Sequence, residues 1–193
     1  MRVIAGSARG RRLQCLKDRR IRPTQDRVKE AIFSSLMLRL PDSRVLDLFA
    51  GSGALGIEAL SRGAGAVTFV EKDGRAANLI KENLTACGWQ LSPSLRLQQQ
   101  DALSWLQAGS RRDMQGAEEY DIILADPPYQ KGYEEEILAL LSRGELLCPR
   151  GILVLESAAR QELPERQGKL YLNKSKVYGD TKISYYVISE PTE

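Results

Sequence analysis

The chain has 193 residues, 42% hydrophobic and 27% charged, which suits one globular domain with a small appendage. It has no histidine and three scattered cysteines, Cys15, Cys87 and Cys148, which excludes Ser-His-Asp and Cys-His nucleophilic sites, imidazole-bound zinc and a disulfide framework. Net charge is +3, yet residues 1–30 hold ten Lys/Arg against three Asp/Glu while the remainder is net −4, so a polyanion docking at one end is expected.

No apolar run reaches membrane-span length, and the arginine-dense start lacks a secretory pattern. A cytoplasmic monomer with no metal site is expected. In chain order, Val3–Ala5 and Leu13–Leu16 flank a glycine-rich turn and predict a hairpin. Thr24 is placed to cap a helix running to Leu36, which Pro41-Asp42-Ser43 ends. Arg44–Phe49 reads as a buried strand entering Ala50-Gly51-Ser52-Gly53, then a helix over Ala54–Ser61. Ala66–Glu71 is the next strand, Arg75–Ala86 a helix, Ser94–Gln99 a strand, and Asp101 opens a short helix through Leu106. Residues 108–119 read as a surface loop. Tyr120–Ala125 is a strand ending at Asp126-Pro127-Pro128-Tyr129. A helix over Glu134–Leu141, a strand over Gly151–Glu156, and two β stretches, Lys169–Val177 and Lys182–Ile188, complete the chain. Residues 1–24 are expected to form a basic extension and 25–193 one catalytic domain.

Alternating apolar strands and helices imply an α/β, doubly wound parallel sheet, with the last two strands added antiparallel at one edge. In such sheets ligands sit at the carboxyl ends of the strands, where Asp47, Gly51, Glu71, Asp101 and Asp126 all fall.

Gly51-Ser52-Gly53-Ala54-Leu55-Gly56 matches GxGxxG, and Glu71 follows Gly51 by 20 residues. A nicotinamide or flavin enzyme therefore stays open. Asp47, just before the glycines, would repel a pyrophosphate but suit the sulfonium and ammonium of S-adenosylmethionine, or could simply be a helix-cap or turn carboxylate. Glu71 could accept both ribose hydroxyls, and Asp101 could accept from the adenine amine or simply cap its helix. Asp47, Phe49, Gly51, Gly53, Glu71, Lys72, Asp101 and Ala102 form the candidate cofactor set.

Asp126-Pro127-Pro128-Tyr129 carries the most specific chemistry. The lone pair of an aryl amine is delocalised, so acceptors around its hydrogens are needed to free it. Asp126 and the Pro127 carbonyl can supply two, the prolines stiffen the loop, and Tyr129 offers a face for a stacked base. No histidine base is required, because the amine becomes acidic as it gains the methyl group.

These motifs, with Arg2-Val3-Ile4-Ala5-Gly6, Arg9-Gly10-Arg11-Arg12-Leu13, Arg22-Pro23-Thr24, Asp26–Phe33 and Tyr178-Gly179-Asp180-Thr181, resemble the bacterial 16S ribosomal RNA guanine-N2 methyltransferases over nearly the whole length. The resemblance implies a Rossmann-like seven-stranded methyltransferase fold and S-adenosylmethionine as donor. It also implies one guanine of 16S rRNA as target, within a small subunit already carrying proteins. Asp126, Pro127 and Tyr129 would take the catalytic and stacking roles.

In the basic arm, Arg9, Arg11, Arg12, Arg22, Thr24 and Arg27 are the candidate RNA contacts, with Arg2, Lys17, Arg19, Arg20 and Lys29 as further phosphate partners. Deleting residues 1–20 is expected to spare cofactor binding and abolish RNA methylation. The rival readings are a DNA adenine or cytosine amine methyltransferase, a protein amide methyltransferase and a non-catalytic RNA-binding assembly protein.

Overall fold

A computed structural model describes residues 1–16, 23–110, 119–129, 132–143 and 146–188, without the side chains of 23–25 and 110. The elements are α1 (Pro23–Leu36), β1 (Arg44–Leu48), α2 (Ala54–Ser61), β2 (Ala66–Val70), α3 (Gly74–Ala86), β3 (Leu95–Gln98), α4 (Ala102–Ser110), β4 (Tyr120–Ala125), α5 (Tyr133–Arg143), β5 (Leu147–Ala158), β6 (Arg166–Gln167), β7 (Leu170–Tyr178) and β8 (Thr181–Val187).

One eight-stranded mixed sheet has the order β3-β2-β1-β4-β5-β8-β7-β6. The order reverses between β1 and β4, which pair in parallel from Val45↔Ile122 to Leu48↔Ala125. The crevice beyond their carboxyl ends is where such folds bind ligands. β8 enters antiparallel between β5 and β7, from Ile152↔Val187 to Ala158↔Thr181. Both faces are covered, so the central strands are apolar on both sides rather than alternating. Val45, Ile122 and Val154 face α1, α2 and α3; Leu46, Ile123 and Leu155 face α4 and α5.

Several boundaries differ from the sequence reading. α1 begins at Pro23, whose lost N–H is an orphan in a first turn anyway, so Thr24 lies inside the helix rather than capping it. α4 continues to Ser110, so 108–110 belong to a helix and not to the expected loop; 111–118 lie outside the described residues. β5 starts at Leu147, and a β-bulge between Tyr120 and Ile122 absorbs its irregular first residues. The two-residue β6, folded back on β7 through Gly168 at φ 57°, is too short to show periodicity.

The N-terminal segment forms a small antiparallel hairpin with one bridge, Arg2↔Arg12, closed by Val3 N–H to Arg11 O (3.0 Å) and Leu13 N–H to Met1 O (3.0 Å). Val3, Ala8 and Leu13 are buried in the same core as α1, α2 and α3. Gly6 lies so close to the end of α2 that a Cβ would sit 1.7 Å from Ser61 O. Residues 1–16 thus share one core with α1, α2 and α3.

Candidate active site

The turn after β1 is shaped by residues with unusual backbone. Phe49, Gly51 and Gly53 have φ of 58°, 56° and 77°. Left-handed backbone at a bulky residue such as Phe49 is costly and persists where the surroundings enforce it. The Phe49 ring packs against Tyr133 at the start of α5, with centroids 5.5 Å apart. Gly56 allows α2 to press on β2, since a Cβ there would meet the Phe69 ring at 2.3 Å.

Three acidic side chains organise this turn. Asp47, 1% exposed, accepts from Gly56 N–H at 2.8 Å, so one of its oxygens caps the first turn of α2. Glu71, just past β2, accepts from Gly51 N–H (2.7 Å) and Asp73 N–H (2.8 Å), one on each oxygen. Each oxygen keeps a second lone-pair direction. Asp101 caps α4, accepting from Leu103 and Ser104 N–H at 3.1 Å each, and its other oxygen lies 3.8 Å from Lys72 Nζ. Ala102 is buried behind it.

Burial pushes the Asp47 carboxyl up from 3.8 to about 7; the Gly56 N–H opposes this, and Asp126 and Glu71 add to it. The charges acting on Asp47 are therefore carboxylates. A cationic ligand relieves that repulsion, whereas a pyrophosphate would add to it, so the site fits S-adenosylmethionine better than a dinucleotide.

Asp126-Pro127-Pro128-Tyr129 follows β4, with Pro127 buried and Asp126 partly exposed. Tyr129 is fixed by the next two strands of the sheet, β5 and β8. Its hydroxyl donates to Glu156 Oε1 at 2.7 Å on β5 and lies 3.1 Å from Thr181 Oγ1 at the start of β8. Burial and the neighbouring Glu156 carboxylate keep this phenol protonated well above its ordinary range. Glu156 and Thr181 were not singled out as site residues from the sequence. Glu156 does close the apolar run Ile152–Leu155 within β5, as Asp126 follows the apolar run of β4. Thr181 lies in the Tyr178–Thr181 turn, whose link to Tyr129 appears only once β8 is inserted beside β5.

A further missed residue joins the arm to the glycine turn. Asn83 on α3, fully buried, accepts from Gln14 N–H (2.8 Å) and donates to Gln14 O (3.0 Å) and Ser52 O (2.9 Å).

Arg9, Arg11, Arg12 and Arg27 are exposed, as phosphate contacts must be. Lys17, Arg19, Arg20 and Arg22 and the Thr24 side chain lie outside the described residues. Lys29 is a correction: it is 4% exposed, donates to Arg2 O at 2.6 Å and lies 3.1 Å from Glu58 Oε2, so it is a core ion-pair residue with no access to RNA. An amphipathic helix pattern does not distinguish a lysine on its rim from one covered by a docked hairpin.

A doubly wound sheet with antiparallel β8, an acidic glycine turn after β1 and Asp-Pro-Pro-Tyr after β4 make this a Rossmann-like methyltransferase fold. The chain belongs to the family described as conserved hypothetical protein 95, which matches residues 1–187. It is 39% identical over 157 residues to the Ribosomal RNA small subunit methyltransferase D of Haemophilus influenzae, covering 81% of this chain and 78% of that one. It is 33% identical over 186 residues to the protein of the same name from Escherichia coli strain K12, covering 96% and 89%. The solved structure of Escherichia coli yhhF, described as a candidate methyltransferase, superposes with a TM-score of 0.83 at 32% identity over 99% of both chains.

Proposed function

We propose that this protein methylates the exocyclic N2 amine of one guanine in 16S ribosomal RNA, presented within an assembled or partly assembled small subunit. The observation that carries the reading is the placement of Asp126 beside an acidic glycine turn, with Tyr129 of the same motif pinned by Glu156 and Thr181. The relatives named as small-subunit rRNA methyltransferases support the RNA target. Among the described residues no helix is long and apolar enough to cross a membrane, and we place the protein in the cytoplasm as a monomer.

In this reading Glu71 and Asp101 hold the ribose and adenine ends of S-adenosylmethionine, with Phe49, Gly51, Gly53, Lys72 and Ala102 lining its site. Asp47 offers negative charge to its cationic end. When bound, the cofactor supplies an activated methyl group. The protein's task is to present a poor nucleophile in line with it. Tyr129 stacks on the guanine, Asp126 and the Pro127 carbonyl accept the two amine hydrogens, and the nitrogen lone pair turns toward the donor. Neither proline has an N–H that could divert those acceptors. Fixing the reactants in such geometry can contribute roughly 7–11 kcal/mol to lowering a barrier. Asp126 then accepts the proton that the methylated amine releases, or passes it to water.

Mass spectrometry of 16S rRNA from cells with and without the protein tests this. One N2-methylguanine is expected to vanish with the protein and to return on complementation with wild type but not with Asp126→Ala. Loss of an N6-methyladenine instead, or of no modification, would overturn it.

A further inference from the structure

The described surface carries two basic regions, and the sequence reading assigned only the N-terminal one to RNA. The second is on β7. Residues 166–179 contain Arg166, Lys169, Lys174 and Lys176 and no carboxylate. Residues 173–177 are all exposed. Among the described residues these four cations form no ion pair; three lie over aromatic rings instead. Arg166 is 4.8 Å from the centroid of Tyr171, Lys174 4.5 Å from Tyr185 and Lys176 5.5 Å from Tyr178. Such contacts hold a cation in place without neutralising its charge.

A β-bulge decides where these lysines point. Leu172 pairs with Tyr186, on the α5 face, and strict alternation would put Lys174 and Lys176 on that face too. The register shifts between Leu172 and Lys174, so Lys174 pairs with Tyr185 and Lys176 with Ile183. Both partners belong to the core cluster on the face that carries α1. One extra residue, Asn173, thus turns the lysines to the α1 side, a known use of bulges. On that side the row continues through Tyr178, opposite Thr181, whose hydroxyl reaches Tyr129. The hairpin docks on α2 and α3, over the other half of the sheet.

We propose that Lys174 and Lys176, with Arg166 behind them, form a second phosphate-binding surface that grips the RNA backbone across the site from the N-terminal arm. This rests on the rRNA reading above. Lysines on an outlying strand can also serve only to discourage edge-to-edge aggregation. That role needs charge somewhere on the strand. It does not need a bulge that aligns the lysines with the catalytic motif, and the two roles predict different binding behaviour.

The test is binding of deproteinised 16S rRNA, and of small subunits from cells lacking the protein, at several salt concentrations. The proteins compared are wild type, K174Q/K176Q, K174R/K176R and a control, R143Q, on the opposite face. K174Q/K176Q is expected to bind at least one of these RNAs several-fold more weakly, with the slope of log affinity against log salt smaller by about 1.4–1.8. The arginine pair is expected to restore binding, and R143Q and all melting temperatures to stay at the wild-type level. Wild-type affinity and slope in K174Q/K176Q on both RNAs would overturn the proposal and leave edge protection. If wild type itself shows no salt-dependent binding to either RNA, the rRNA reading falls and takes this one with it.

Discussion

Lys29 Nζ lies 3.1 Å from Glu58 Oε2, and the two side chains are 4% and 0% exposed. Glu58 also accepts from Ile4 N–H (2.8 Å), Ala5 N–H (3.0 Å) and Arg62 Nε (2.8 Å), so one buried carboxylate clamps the N-terminal hairpin to α1 and α2. Breaking a buried pair by removing one partner leaves an uncompensated charge and costs roughly 3–5 kcal/mol. Lys29→Met is expected to fall near the lower end, about 3 kcal/mol, because Arg62 stays. The midpoint of urea unfolding measures this; an unchanged midpoint would show that the pair contributes nothing.

The same clamp changes how RNA binding by the arm must be tested. Removing residues 1–20 would strip Val3, Ala8 and Leu13 from the core, leave Glu58 without its two backbone donors and take from the Asn83 amide, which holds Ser52 O, its bonds to Gln14. Loss of activity in that truncation would report misfolding as readily as impaired RNA binding. The informative variant is R9Q/R11Q/R12Q, whose side chains are exposed and whose hairpin bonds are made by backbone. It is expected to keep its melting temperature and bind 16S rRNA more weakly, with the salt slope lower by roughly 0.7–0.9 for each phosphate that is no longer neutralised. Unchanged affinity and slope would remove these three arginines from the interface.

Asp47 makes both stability and cofactor affinity depend on pH. Its folded pKa, about 7, lies above the ordinary 3.8. Between those values the folded protein holds a proton that the unfolded chain has released, so the unfolded state binds fewer protons. Stability from this group therefore falls as pH rises from about 4 to 7 and stays low above that. Asp47→Asn keeps an acceptor for Gly56 N–H and is expected to flatten this slope. Cofactor binding should run the other way, because only ionised Asp47 attracts a sulfonium. Calorimetry across pH 5.5–8.5 is expected to show affinity for S-adenosylmethionine rising more steeply than that for S-adenosylhomocysteine, which lacks the positive sulfur. Parallel pH profiles for the two would take Asp47 away from the donor's charge.

What the sequence revealed depended on how local each feature is. The strands from Arg44 to Ala125 and their carboxyl-end acids were legible because each is a short apolar run closed by its own turn. The placement of Asp47 was legible too, and so was its possible service as a helix cap, but that Gly56 N–H is the donor and that one oxygen alone does the capping required the path of α2. Lys29 was misread because only the folded hairpin covers it. Glu156 and Thr181 escaped notice as site residues because 27 and 52 residues separate them from Tyr129. Only the insertion of β8 beside β5 brings the three together.

That convergence yields the sharpest prediction. If Tyr129 serves as the stacking wall for the target base, its ring must be held still, and the bonds to Glu156 and Thr181 hold it. Glu156 is then a positioning residue that does not touch the reacting atoms. A misplacement of about 1 Å can cost on the order of 100-fold in rate. Tyr129→Ala, which loses the wall, is expected to lower kcat by about that factor. Tyr129→Phe keeps the ring and loses its anchor, and about 10-fold is expected. Glu156→Ala should match Tyr129→Phe, while Glu156→Gln, whose amide oxygen still accepts from the phenol, should recover most of the rate. In every variant the KM for S-adenosylmethionine should stay at the wild-type value. Steady-state methyl transfer to rRNA-containing particles measures both constants. If Glu156→Gln were as slow as Glu156→Ala, the carboxylate's charge rather than its hydrogen bond would be what the reaction needs, and Glu156 would have to act as more than an anchor for Tyr129.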